Sequence, residues 1–237
     1  KIPIAVASAM AAAMIPTVAQ LIAARNVEGA KDKIGVAVKT TMIISIPCAV
    51  GLFVLARPVT CLLFPANTQA SEDLATGLLM ALAISIVFYA LSTLNSQILQ
   101  GLGRMNVPIV NAAIALGLQT VVVVVLLFFT KLDLYSVVIA NIIYSGIMCV
   151  LNQLAVRKAI GYRQEIMRTF VIPLLASAFM GAVAWAVYEG FLLMTKSPRI
   201  SVIPAVLIGA AAYFALLILF RGVTETELRG FPKGHLL

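Results

Sequence analysis

The feature that most constrains this chain is a succession of seven apolar stretches, each long enough to cross a lipid bilayer. A membrane-spanning helix needs roughly 20 consecutive, mostly apolar residues. The stretches that meet this requirement are residues 2–24, 36–56, 74–99, 107–129, 134–156, 170–194 and 200–220. Backbone polar groups find no water in hydrocarbon, so such stretches fold as helices. The sequence therefore predicts an all-α polytopic membrane protein with seven transmembrane helices.

Composition supports a membrane protein and argues against a soluble one. Hydrophobic residues make up 62% of the 237 residues, and only 11% are charged. In a soluble domain, roughly a quarter of the residues are charged. The net charge of +8 is spread over the segments between the apolar stretches, where basic residues set the orientation of a membrane protein. We therefore expect the lipid bilayer as a partner and no nucleic acid.

Basic residues are distributed unevenly between the two ends of the predicted helices. Twelve lie in every second segment, beginning after the first stretch: Arg25, Lys31, Lys33, Lys39, Arg104, Arg157, Lys158, Arg163, Arg168, Arg221, Arg229 and Lys233. The other segments hold four, namely Arg57, Lys131, Lys196 and Arg199. Because cytoplasmic segments carry the excess of Lys and Arg, we predict that the chain starts outside and ends with a cytoplasmic C-terminus.

The connection at residues 57–73 is longer than the others and has a mixed character. It contains Leu62, Leu63 and Phe64, followed by Pro65 and Asn67. A short helix lying in the membrane interface, with its apolar side chains toward lipid, fits this composition better than a free loop. We predict such an interfacial helix here.

Groups that carry chemistry are scarce within the apolar stretches. None has a charged residue at its centre, and the single histidine, His235, follows the last stretch. Intramembrane hydrolases and acyltransferases need acid–base pairs or an activated nucleophile, so we predict that the protein is not an enzyme and has no catalytic residues. The three cysteines lack the CxxC spacing of metal sites. We expect no metal and no cofactor, and the sequence leaves a coupling ion open.

Uncharged polar residues, in contrast, are concentrated on one face of the third stretch. Five of them, Ser85, Tyr89, Ser92, Ser96 and Gln100, are separated by 4, 3, 4 and 4 residues, which places them on one side of a helix. The fourth stretch adds Asn111 and Gln119, and the fifth adds Asn141. These eight are our candidate site residues. Two interpretations are open. They form hydrogen bonds between helices, or they line a water-filled substrate cavity, which we favour because five polar residues exceed the needs of one helix contact.

Small residues and prolines predict where the helices pack closely and where they bend. Small residues stand four positions apart in Ala9 with Ala13, Ser177 with Gly181, and Ala205 with Gly209, a spacing that lets backbones approach. The prolines within or near the ends of the stretches are Pro16, Pro47, Pro173 and Pro204. A proline inside a helix leaves a carbonyl without its helical partner and can kink the helix.

Three segments resemble a known family of membrane transporters. They are IPTVAQLIAARNVEGAKDKIGVAVKTT at residues 15–41, ILQGLGRMNVPIVNAAI at residues 98–114, and TETELRGFPKG at residues 224–234. They are similar to the C-terminal half of the polysaccharide and lipid-linked-oligosaccharide flippases, which belong to the multidrug/oligosaccharidyl-lipid/polysaccharide exporter superfamily. The resemblance is strongest to the stage V sporulation protein B branch, which is related to the lipid II flippases.

The resemblance implies half of a fourteen-helix, two-lobe transporter of the multidrug and toxin extrusion type. Residues 1–157 would form the C-terminal lobe without its first helix, residues 158–222 an extra helix pair, and residues 223–237 a cytoplasmic tail. The missing N-terminal lobe of the same protein is then an expected partner. The eighth helix of such a protein starts outside, in agreement with the charge pattern.

The function implied by the resemblance is alternating access, in which two lobes rock around a central cavity. The substrate would be a polyprenyl-linked saccharide, a precursor of polysaccharide or peptidoglycan, and the location the bacterial plasma (inner) membrane. One alternative is a cation-coupled multidrug and toxin antiporter, disfavoured because this lobe has no intramembrane carboxylate. A second is a non-transporting scaffold for cell-envelope assembly. The first stretch has no cation before Arg25, so a pyrophosphate-binding arginine would come from the missing lobe.

Overall fold

The computed structural model describes residues 2–64, 68–130, 133–196 and 198–219, and these form helices without strands. The helices are α1 (Ile2–Ala23), α2 (Val27–Val54), α3 (Ala56–Leu63), α4 (Gln69–Gly101), α5 (Asn106–Phe129), α6 (Leu134–Ile160), α7 (Ile172–Thr195) and α8 (Pro198–Leu219). Seven of them are long and apolar enough to cross a membrane, which confirms the predicted all-α, seven-span fold. The predicted tail at residues 223–237 lies outside the described residues.

Helix α2 begins nine residues earlier than the apolar pattern predicts, at Val27 instead of residue 36. The side chain of Asn26 caps it by accepting a hydrogen bond from the Gly29 N–H at 2.9 Å. Lys31 and Glu28 form an ion pair at 2.8 Å in the first turns. Hydropathy marks where a helix enters lipid, whereas capping decides where the helix starts. Two polar turns therefore extend α2 beyond its apolar stretch.

A short helix is present in the segment predicted to hold an interfacial helix, namely α3, a two-turn helix between α2 and α4. Its buried residues are Ala56, Pro58 and Thr60. Leu62, Leu63 and Phe64 are exposed at its end. A short helix with one packed face and an apolar exposed end suits the boundary between lipid and water. The remainder of residues 57–73 differs from the prediction, because α4 already begins at Gln69.

The core is formed where α4 meets α1, α2 and α6, while the α7–α8 pair packs on α2. Large buried side chains at these contacts include Ile34, Met42, Leu94 and Leu99. Helix α5 packs on α6 and scarcely touches α4. In the turn between α4 and α5, Gly103 has a φ of +75°, where glycine carries no steric penalty. The two helices then diverge instead of forming a packed hairpin.

Two of the three predicted small-residue pairs lie at helix contacts. A methyl group placed at Gly181 of α7 would lie 3.0 Å from Val54 of α2, and one at Gly209 of α8 would lie 3.1 Å from Ala184 of α7. The third pair, Ala9 and Ala13, is exposed on α1. The expectation that this pair packs against a neighbouring helix is therefore wrong within the described part of the chain, because α1 turns its other face to α2 and α4.

A bulky side chain at Gly181 is expected to destabilise the protein. Gly181→Leu would force apart α2 and α7, and overpacking of this kind costs about 1–3 kcal/mol. The matched control is Gly190→Leu on the same helix, where an added methyl group has nothing within 4 Å. Thermal unfolding in detergent should show a clear loss of stability for Gly181→Leu and none for Gly190→Leu. Equal losses in both variants would contradict the close α2–α7 contact.

Candidate functional site

A single amide, that of Asn152 on α6, joins three helices in the middle of the described structure. Asn152 is completely buried. Its Nδ2 lies 2.8 Å from Ser96 Oγ and 3.3 Å from Ser92 Oγ on α4. Its Oδ1 accepts a hydrogen bond from Asn111 Nδ2 of α5 at 2.9 Å. We call these four residues the Asn152 clasp, since together they hold α4, α5 and α6 in one arrangement.

Two further polar contacts continue the clasp along the α4–α6 boundary. On one side, the Tyr89 hydroxyl donates to Asn141 Oδ1 at 2.9 Å. On the other side, Asn95 Nδ2 donates to Gln153 Oε1 at 2.9 Å. Gln164 Nε2, from the segment after α6, donates to the same oxygen at 2.8 Å. Polar side chains therefore bind one another at three successive levels between α4 and α6.

The local sequence explains this alignment, because both helices present polar residues to each other at helical intervals. The partners advance together along the chain, from Tyr89 with Asn141 to Asn95 with Gln153, so α4 and α6 run parallel. Ser92 and Ser96 are four residues apart and share a face. Parallel helices two positions apart in sequence order require a third helix between them, and α5 supplies it.

The eight predicted site residues divide into those whose side chains form hydrogen bonds to another helix and those whose side chains do not. Five of them, Tyr89, Ser92, Ser96, Asn111 and Asn141, bond across helices. The hydroxyl of Ser85 bonds within its own helix, to the Leu82 carbonyl at 2.7 Å. Gln100 is exposed at the end of α4. Gln119 is half-buried on α5.

Sequence reasoning missed Asn152 and Asn95 as site residues. Both are fully buried, although Asn95 lies off the predicted polar face. The signal for Asn152 was its distance from Asn141, since eleven residues are close to three helical turns and place both on one face. The signal for Asn95 was its polarity alone, because an amide inside an apolar helix must find a partner.

The site contains no charged group, and the described residues hold no His, Cys, Asp and Glu cluster that could bind a metal ion. The charged residue Glu165 follows Gln164, at the end of the site that lies toward the α6–α7 connection. There, burial and the nearby Glu165 raise the pKa of Tyr162 to about 12, so its hydroxyl stays protonated at neutral pH. Hydrogen bonds between neutral groups, and not electrostatic attraction, thus define this site.

A second surface, the exposed face of α1, differs in composition from the exposed face of α5. Its exposed residues are Ala5, Ala9, Ala12, Ala13, Pro16, Thr17, Gln20 and Ala23. Helix α5 instead exposes large side chains such as Leu116, Val124 and Phe128. Large aliphatic side chains suit contact with lipid tails, whereas small and polar ones suit helix contacts or water. We refer to these eight residues as the α1 face.

Comparisons with known proteins agree on one family. The family model described as lipid II flippase MurJ matches residues 2–206. A probable lipid II flippase MurJ of Aquifex aeolicus is 29% identical over 191 residues, which are 78% of this chain and 36% of that protein. Lipid II flippase MurJ of Bacillus subtilis is 26% identical over 220 residues, which are 89% of this chain and 39% of that protein.

The fold agrees with the same group of proteins. A solved structure of lipid II flippase MurJ in an inward closed conformation aligns with a TM-score of 0.67 and 20% identity. The alignment covers 91% of this chain and 44% of that chain. The chain therefore spans about two fifths of the length of the relatives that it matches.

Seven candidate spans, a neutral polar site between them and this fold define a multi-pass membrane protein. Within that class, the chain belongs to the lipid II flippase MurJ family. Proteins of this family are transporters and not enzymes, in agreement with the prediction of a non-enzymatic protein. The resemblance to flippases of the exporter superfamily is confirmed. The family shown is that of the lipid II flippases, which the sequence analysis gave as related to the stage V sporulation protein B branch.

Removing the central amide is expected to loosen the clasp. Asn152→Leu would leave Ser92, Ser96 and Asn111 without their shared partner, and the loss of such contacts should cost roughly 1–3 kcal/mol. The control is Gln119→Leu on α5, whose side chain forms no hydrogen bond within the described residues. Unfolding by sodium dodecyl sulfate in mixed micelles should separate the two variants. Similar stability of both would mean that the clasp holds no helices together.

Proposed function

We propose that the protein containing this chain moves a lipid-linked peptidoglycan precursor across the membrane. The observation that carries this proposal is the family match over residues 2–206, since both relatives above are named as lipid II flippases. The substrate of such a protein combines a large polar head group with a polyprenyl tail. Its passage requires a polar surface inside the membrane and an apolar surface beside it.

The chain would supply one lobe of a larger transporter. In this proposal residues 1–157 form the C-terminal lobe without its first helix, residues 158–222 form the extra helix pair, and residues 223–237 form the tail. The coverage of about two fifths of the relatives fits this division. The packing of α7 on α2 and of α8 on α7 and α3, apart from α4 to α6, also fits it.

The α1 face is our candidate for the wall of the substrate cavity. It is a continuous surface of small and polar residues on the edge of the lobe, and it contains Thr17 and Gln20. Gln100 is exposed at the end of α4, where the next residue, Gly101, packs against Ile15 of α1. Of the predicted cavity residues, we therefore propose Gln100 as a lining residue.

The Asn152 clasp would support this wall from behind. In a protein that rocks between two states, each lobe has to move as one body. Polar side chains that satisfy one another bind α4, α5 and α6 without exposing a charge to lipid. We propose that Ser92, Ser96, Asn111, Tyr89 and Asn141 keep the lobe rigid while the cavity opens to either side.

Orientation and location follow as part of the proposal. The connection between α1 and α2, that between α4 and α5, and that between α6 and α7 carry basic residues and lie at the same ends of alternating helices. We propose that this side is the cytoplasm, that the C-terminus lies there, and that the membrane is the bacterial plasma membrane. A role in sporulation, and a placement in the stage V sporulation protein B branch, stay predictions of the sequence resemblance.

Lipid II movement in reconstituted vesicles tests the proposal directly. The full-length protein should carry fluorescent lipid II to the opposite leaflet. Thr17→Leu combined with Gln20→Leu should slow it roughly fivefold or more, equivalent to about 1 kcal/mol, because the polar wall becomes apolar. Thr120→Leu on the exposed side of α5 is the control. Failure to move any polyprenyl-linked glycan, together with cation-driven drug efflux, would favour the antiporter instead.

Thiol labelling tests whether the α1 face meets water. In a variant without Cys48, Cys61 and Cys149, a cysteine at position 17 or 20 should react with a hydrophilic, charged reagent. A cysteine in place of Leu116 on α5 should resist it, because that position faces lipid. If the α1 positions are as unreactive as position 116 in every state, the α1 face does not line a cavity.

A further inference from the structure

Proline 47 creates a specific vacancy in the hydrogen bonding of α2. It lies inside the helix, and its ring nitrogen carries no hydrogen. In a regular α-helix that position donates to the carbonyl four residues earlier, which here belongs to Ile43. A proline therefore leaves the Ile43 carbonyl without its helical donor. Deep in a membrane, water cannot replace the missing donor.

The missing donor comes from the other end of the chain. The hydroxyl of Tyr213 on α8 donates to the Ile43 carbonyl oxygen at 2.7 Å. The two residues are 170 positions apart, so no local feature of either helix brings them together. The bond joins the last described helix to the point at which α2 loses its own hydrogen bond.

The surroundings make this contact specific. Tyr213 and Ile43 belong to a buried cluster with Ala176, Met180 and Leu217. These neighbours are apolar, and the polar side chain that also faces the Tyr213 hydroxyl is the buried Ser177 on α7. The close approaches at Gly181 and Gly209 bring α7 against α2 and α8 against α7. Shape and one hydrogen bond thus direct the same docking of the helix pair.

We propose that Tyr213 is a positioning residue that couples the α7–α8 pair to α2 at Pro47, where α2 lacks one of its own hydrogen bonds. A proline bend is a point at which a helix can change its angle. Because Tyr213 binds the carbonyl released there, a change in the α2 angle carries α8 with it. The next step rests on the proposed function. During transport, the α7–α8 pair moves together with the lobe.

A double-mutant cycle tests the coupling. Tyr213→Phe removes the donor and leaves a buried carbonyl unpaired, which should raise the unfolding equilibrium constant about tenfold or more. Pro47→Ala restores an N–H that can bond the Ile43 carbonyl within α2. In that background Tyr213→Phe should change the constant about twofold at most. The effect of Tyr213→Phe on the unfolding constant is measured in each background by sodium dodecyl sulfate unfolding of the full-length protein.

Controls and a second measurement keep the test independent of transport. Tyr144→Phe, a half-buried tyrosine of α6 whose hydroxyl has no hydrogen bond within the described residues, should have little effect in either background. Spin labels at positions 53 of α2 and 203 of α8 should give a narrow distance distribution that broadens in Tyr213→Phe. Equal effects of Tyr213→Phe in both backgrounds, or an unchanged distribution, would overturn the proposal. Neither readout involves substrate, so a failed flippase assay leaves this test intact.

Discussion

The structure depends on one constraint, that a polar group inside hydrocarbon has to find its partner within the protein. The Asn152 amide satisfies it by binding Ser92, Ser96 and Asn111 at once. Tyr213 satisfies it by binding the carbonyl that Pro47 releases. In water each of these groups would be solvated, and the contacts would contribute little. In a membrane they specify which helices are neighbours, because apolar side chains alone favour lipid and protein almost equally.

The same constraint separates two kinds of exposed surface. Helix α5 exposes branched and aromatic side chains such as Val124 and Phe128, as expected of a surface in contact with lipid tails. Helix α1 exposes alanines together with Thr17 and Gln20. A surface of this composition gains little from lipid and can accommodate another lobe or water. For a flippase, the two surfaces would serve the two halves of a lipid-linked substrate, and the contrast gives the lobe a functional edge.

Stability and motion have different origins within the chain. The helices α4, α5 and α6 are held by several polar contacts, which favours movement as one body. The α7–α8 pair is held to α2 by small residues at Gly181 and by the bond of Tyr213. Since that bond goes to the carbonyl that Pro47 releases, the pair is attached where α2 lacks one of its own hydrogen bonds. The attachment can therefore persist while the helix changes its angle.

The sequence by itself determined the number of spans, because membrane thickness and helical periodicity act along the chain. The flippase family was indicated by the resemblance of three short segments. The sequence also indicated that polar residues of α4 face the protein. It did not determine their partners, nor that Ala9 and Ala13 are exposed among the described residues. Those questions depend on which helices lie side by side, as in the contact between Tyr213 and Ile43 across 170 positions. Only the tertiary structure decides this, because hydrogen bonds between distant helices leave no periodic trace in the sequence.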